Sequence, residues 1–236
     1  MTINKNNNVN QSEIRKGILR RSIQVVLSLV LIAVLLFLSV GRVNWIFAWL
    51  YIAISVLFVI VNYFILPAEL IAERGSKKEN VEKWDKIISN LIIIPFLALY
   101  IVAGLDIRFE WSSNVEILIQ FIGIVIFILG MAIVSWAMVS NPYFSTAVRI
   151  QYERVHSVST KGPYKYVRHP GYIGMIIYNI ATPLFLGSLW ALIPAVLVCV
   201  LYIIRTAFED STLKNKLDGY KEYTEKVKYR LLPGIW

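Results

Sequence analysis

The chain has 236 residues, 57% of them hydrophobic and 17% charged, with a formal net charge of +9 and a mean hydropathy of +0.62. Soluble domains average roughly 45–50% apolar and about 25% charged residues, so this chain carries more apolar surface than one compact core could hide from water. That excludes soluble Rossmann, barrel and sandwich folds, and the continuity of its apolar runs excludes an alternating membrane β-barrel. An all-α, polytopic transmembrane helical bundle is the predicted fold class.

Residues 1–21 are polar, Asn-rich and basic, and are expected to be a disordered tail. The apolar run that follows, Ile23 to Val40, exceeds the roughly 7–15 residues of a signal-peptide core and reads as an uncleaved anchor. A bilayer core needs about 20 apolar residues per helix. On that ruler six spans are predicted, at 22–40, 45–66, 87–104, 116–139, 171–187 and 189–208. The fifth is the shortest and contains Pro183, and the turn at Gly187 and Ser188 joins the last two into a helical hairpin. Residues 22–139 thus form an N-terminal group of transmembrane helices, ahead of a region, 140–236, that holds the hairpin and the C-terminal tail.

The basic residues orient these spans. The N-terminal tail, the segments 67–86 and 140–170, and the C-terminal tail hold 21 of the 24 Lys and Arg, while the alternate loops hold only Arg42 and Arg108. The positive-inside rule therefore puts both termini in the cytoplasm of a multi-pass protein, as in the plasma membrane of a prokaryote. The excess charge is explained by topology, so no nucleic-acid partner is expected. Glu69, Glu73, Arg74 and Asp85, among the lysines of 67–86, read as a solvated face.

Chemistry-bearing residues concentrate on the cytoplasmic side. Both histidines, His156 and His169, lie between the fourth and fifth spans. There Gly162-Pro163-Tyr164 and Arg168-His169-Pro170-Gly171-Tyr172 bring rigid prolines and permissive glycines to the start of a helix. Its positive end suits an anionic ligand, although the same residues also make an ordinary interfacial turn with tyrosine anchors. In the last span Arg205 and Glu209 are one helical turn apart. An ionisable pair at that depth either satisfies itself or faces a wet cavity. Cys199 reads as a small hydrophobe, and with two histidines and one cysteine no metal site is expected.

The runs VRIQYERVHSVSTKGPYKYVRHPGYIG and GYKEYTEKVKYRLLPGIW, with Arg205 and the pair Glu209-Asp210, resemble the isoprenylcysteine carboxyl methyltransferase family in its prokaryotic form. The likeness is tightest over 141–236 and extends to 62–86, and it implies that 140–236 is the methyltransferase catalytic region, with a tail that encloses the cofactor. It implies S-adenosylmethionine bound on the cytoplasmic side, with contacts from Gln151, His156, Ser157, Val158, Ser159, Tyr164, His169, Pro170, Gly171, Tyr172 and Glu209. It further implies that Arg205 holds the carboxylate of a lipidic, membrane-partitioned acceptor, making Arg205 and Glu209 the catalytic pair. Phospholipid amine N-methyltransferases and NADPH-dependent membrane sterol reductases resemble the same region. A reductase would use Lys161, Lys165 and Arg168 for its phosphate, and a non-catalytic membrane scaffold is the remaining alternative.

Overall fold

The computed structural model describes the backbone of residues 2–112 and 115–236, with side chains from Gln11 onward in those ranges. Met1 and the side chains of 2–10, part of the expected tail, lie outside the described residues. Among the described residues the chain is all-helical. Its helices are α1 (Thr2–Val40), α2 (Ile46–Ile65), α3 (Ala68–Gly75), α4 (Lys83–Phe109), α5 (Ile117–Ser140), α6 (Pro170–Leu186), α7 (Leu192–Lys216) and α8 (Tyr220–Lys226). Five of these, α1, α2, α4, α5 and α7, are long and apolar enough to cross a membrane, while α6 is apolar but only 17 residues long.

The apolar spans fall where hydropathy puts them, and their ends differ for physical reasons. Residues 11–21, expected in the tail, continue α1 as helix, because Gly17 allows α3 to pack directly on it. A Cβ at Gly17 would lie 2.6 Å from the carbonyl oxygen of Ala72. The segment 67–86, expected as a solvated loop, contains α3 and the first turn of α4. Helix α7 continues past residue 208 to Lys216, so Glu209 and Asp210 sit on helix.

Small residues bring the helices together, as is usual where lipid supplies no hydrophobic drive for association. Gly130 of α5 meets Gly174 of α6, where a Cβ would stand 2.6 Å from the Gly130 carbonyl. Between the helices the core is aromatic: Tyr51 packs on Phe127 and Phe185, and its hydroxyl meets that of Tyr100 at 2.7 Å. At one end of the bundle Asp106 ties the end of α4 to the α6–α7 turn, accepting from Ser112 N and Oγ (both 2.6 Å) and Ser188 Oγ (2.5 Å). At the opposite end α6 begins and α7 extends beyond its apolar part, under the segment 141–169 and α8.

Candidate functional site

A cavity of about 270 Å³ lies at that second end. Its walls come from the loop after α5, the first turn of α6, the last turns of α7 and the face of α8. Of the predicted site residues, Gln151, His156, Ser157, Val158, Ser159, Tyr164, His169, Gly171, Tyr172, Arg205 and Glu209 all line it. Pro170 does not, since it serves as the first residue of α6, where its missing N–H costs nothing.

The structure places Arg205 and Glu209 in one wall but gives them different partners, so the self-satisfied helical pair is not formed. The Tyr172 hydroxyl donates to Glu209 Oε2 at 2.6 Å, and the Arg205 guanidinium carbon stands 5.8 Å from the Tyr172 ring centroid. Arg205 Nε donates to Asp85 Oδ1 at 2.7 Å, and its Nη2 donates to the Thr146 carbonyl at 3.1 Å. Asp85, 1% exposed, also accepts from Val148 N–H at 2.9 Å through its other oxygen.

The expectation of a solvated face over 67–86 is thereby corrected for three residues. Asp85 is buried behind the site. Glu73 is buried too, paired with Lys78 at 2.7 Å and Arg149 at 3.4 Å, and it accepts from Ser145 Oγ at 3.0 Å. Arg74 lies over the Phe144 ring at 5.3 Å and reaches the cavity wall. Burial, with the nearby Arg21 charge, lowers its pKa to about 10. Glu69 is exposed, as expected.

Along the loop, Gln151 is buried with both ends of its amide committed: Nε2 donates to the Tyr143 carbonyl at 2.7 Å and Oε1 accepts from Arg154 at 2.8 Å. His156 lies 4.4 Å from the Tyr143 ring centroid. Burial first, then the charges of Arg154 and Arg149, push its pKa down to about 4, so the imidazole is neutral near pH 7. Ser159 Oγ donates to Asn141 Oδ1 at 2.9 Å, and the Asn141 amide donates to the Tyr164 hydroxyl at 3.2 Å. Burial raises the Tyr164 pKa, which keeps this phenol neutral.

Asp210, fully buried, anchors the tail that closes the cavity. Arg168 donates to it in a fork, Nε at 2.7 Å and Nη2 at 3.2 Å, and Arg230 Nε adds a bond at 2.9 Å. The Tyr220 hydroxyl donates to it at 3.0 Å, and His169 Nε2 lies 3.3 Å away. Arg168 Nη1 also donates to the carbonyls of Val227 and Lys228, at 2.8 and 2.7 Å. With Asp210 so engaged and absent from the cavity wall, it is a poor candidate for a proton acceptor. The phosphate cluster expected of a reductase does not assemble either: Arg168 is held by Asp210, and Lys161 and Lys165 are exposed away from the cavity.

Asp85, Asn141, Tyr143, Tyr220 and Tyr223 escape sequence reasoning. Tyr220 and Tyr223 carried a usable signal, since their i,i+3 spacing in GYKEYTEK puts both rings on one face of a short helix.

Residues 118–218 match the sequence model of a family described as phospholipid methyltransferase. A probable protein-S-isoprenylcysteine O-methyltransferase of Oryza sativa subsp. indica is 31% identical over 112 residues, covering 46% of this chain and 59% of the relative. Protein-S-isoprenylcysteine O-methyltransferase A of Arabidopsis thaliana is 31% identical over 121 residues, covering 50% and 57%. The Schizosaccharomyces pombe protein-S-isoprenylcysteine O-methyltransferase is 32% identical over 102 residues, covering 42% and 43%. The chain thus spans less than two thirds of the length of these relatives. The cavity-forming part of the protein, from α5 through α7, is similar in sequence to the phospholipid methyltransferase family and to isoprenylcysteine O-methyltransferases.

Proposed function

We propose that this is an integral-membrane methyltransferase that uses S-adenosylmethionine to esterify the carboxylate of a lipidic acceptor, such as a prenylated cysteine. The observation that carries this reading is that Arg205 and Glu209, one turn apart in a single cavity wall, are held by separate partners, Asp85 and Tyr172. The cationic group then faces an acceptor carboxylate, and the anionic group faces a cationic cofactor.

The residues present fit S-adenosylmethionine. The cavity combines tyrosine rings that can stack on a purine, a carboxylate that can accept from an ammonium, and a neutral imidazole at His156. Its volume of about 270 Å³ is just below the usual range of small-molecule sites. When bound, the cofactor supplies an electrophilic sulfonium methyl: an oxygen–carbon bond to the acceptor forms as the carbon–sulfur bond breaks, the electron pair staying on sulfur. An acceptor carboxylate is ionised near pH 7, so the chain needs no general base. Its contribution is alignment and exclusion of water, which in well-oriented reactions supplies on the order of 7–11 kcal/mol. Arg205 orients the carboxylate, and Glu209 and Tyr172 position the cofactor. The strapped tail over the cavity keeps water out.

The Lys/Arg distribution supports an orientation with both termini and the cavity in the cytoplasm, in the plasma membrane if the source is prokaryotic. The family description favours one second reading, transfer to a phospholipid amine, with Glu209 accepting the proton. Calorimetry on detergent-purified protein with S-adenosylmethionine, S-adenosylhomocysteine and NADPH in parallel tests the cofactor: both adenosyl ligands bind and NADPH does not. Labelled methyl transferred to an S-prenylated cysteine and released by mild alkali identifies an ester. An alkali-stable label on a phosphatidylethanolamine vesicle would establish the amine instead.

A further inference from the structure

We infer that Asp85 is a positioning residue for methyl transfer, acting through Arg205 by fixing which edge of the guanidinium meets the acceptor. The inference rests on the proposed role of Arg205 and goes beyond it to a residue on another helix, 120 positions away in sequence.

The geometry is two-handed. Asp85 Oδ1 takes Arg205 Nε at 2.7 Å, and Oδ2 takes the Val148 N–H at 2.9 Å. The Val148 carbonyl in turn accepts from Glu82 N–H at 3.1 Å, so the start of α4 grips the loop at both its donor and its acceptor. That loop supplies the Thr146 carbonyl to Arg205 Nη2 at 3.1 Å. Nε and Nη2 form one edge of the guanidinium fork, and Arg168 uses that same edge to grip Asp210. In Arg205 this edge is filled by Asp85 and Thr146, which leaves the Nη1 end for an incoming carboxylate.

Charge follows the same layout. Arg205 lies between two carboxylates, Asp85 bonded to it and Glu209 one turn along the helix. An acceptor carboxylate therefore meets a cation already partly compensated, and keeps electron density on the oxygen that must attack. Without Asp85 the acceptor would be held at least as firmly, but by a mobile and stronger cation, which opposes alignment and nucleophilicity together.

Asp85→Asn tests this, because an amide has one acceptor oxygen where the carboxylate offers two. Either Arg205 Nε or Val148 N–H is then left facing an NH₂ group. With an S-prenylated cysteine as acceptor, kcat is expected to fall about tenfold or more, equivalent to about 1.4 kcal/mol. The acceptor KM should stay within threefold, and so should the S-adenosylmethionine Kd by calorimetry. In an Arg205→Lys background, which keeps the charge but lacks the fork, Asp85→Asn should add little further loss. A kcat within twofold of wild type, a loss of cofactor affinity in step with kcat, or a full additional loss in the Arg205→Lys background would each overturn the assignment. If wild type binds the prenylcysteine but transfers no methyl group, the proposed reaction fails. The Asp85 assignment is then decided by binding alone: the preference for the carboxylate over its methyl ester must rise, by no more than about threefold, in Asp85→Asn, and must not rise again in the double variant.

Discussion

At one end of the bundle Asp106 is 1% exposed and, among the described residues, accepts from neutral donors, Ser112, Ser188 and the Trp190 N–H. At the other end Asp85 and Asp210, equally buried, accept from arginines. Short hydroxyl and backbone donors spend themselves on the carboxylate, so these groups around Asp106 have nothing left to offer a ligand. An arginine has five N–H donors, and one carboxylate cannot use them all. Arg168 turns its surplus to the tail carbonyls, whereas Arg205 turns its surplus to the cavity. Buried carboxylates thus fasten both ends, and the donor type decides which end retains binding capacity.

The sharpest way to break this comparison is at Asp210. Asp210→Ala strands Arg168, whose side chain is 4% exposed, and breaking such a buried pair costs roughly 3–5 kcal/mol. The thermal midpoint in detergent should drop, and limited proteolysis should cut first within the tail after α8; an unchanged midpoint and cleavage pattern would deny Asp210 its anchoring part. Arg205→Ala should lower kcat/KM for the acceptor by about 10²–10³-fold, as for loss of one transition-state donor, while calorimetry finds cofactor affinity largely kept. At the opposite end, Asp106→Asn should cost about 1–3 kcal/mol of stability with no change in cofactor Kd, and any loss of affinity there would mean the two ends are coupled. Glu209→Gln should weaken cofactor binding about tenfold, or 1.4 kcal/mol, as read by the same titration.

A further effect concerns pH. The unfolded imidazole of His156 takes up a proton near pH 6.5, but in the folded loop burial and the neighbouring arginines hold it down to about 4. Between these values the unfolded chain binds the extra proton, so stability is full above pH 6.5 and declines as pH falls toward 4. Melting curves at pH 7 and pH 5 should separate in wild type and draw together in His156→Gln.

The parts of this arrangement that could be read from sequence are those governed by local pattern. Apolar run length found the spans, the Gly-Pro-Tyr and His-Pro-Gly-Tyr runs found one wall of the cavity, and a four-residue spacing found Arg205 with Glu209. Asp85 was hidden because its partner is 120 residues distant, and a lone acidic residue among lysines looks the same whether it faces water or an arginine. The helical state of residues 11–21 was hidden for a related reason: polar composition suggested a tail, while the decisive contact, Gly17 against Ala72, is tertiary. Asp210 could be seen as a charge beside Glu209, but its partners Arg168 and Arg230 come from before and after the hairpin, so its task as an anchor depends on the fold.

The brevity of α6 has a consequence for the direction from which a substrate comes. Seventeen residues at 1.5 Å each make about 25 Å, short of the roughly 30 Å hydrocarbon layer. If the far end, fastened through Ser188 and Asp106, lies at one headgroup plane, the cavity end would fall about 5 Å short of the opposite plane, or pull that plane inward. A hydrophilic molecule must descend to reach this recess, whereas a group tethered to an embedded hydrocarbon chain is already at that depth. The bilayer would then act as a gauge, admitting acceptors by how far below the surface their reactive oxygen rides, and thicker or thinner vesicles should retune the proposed methyl transfer without altering a single contact inside the protein.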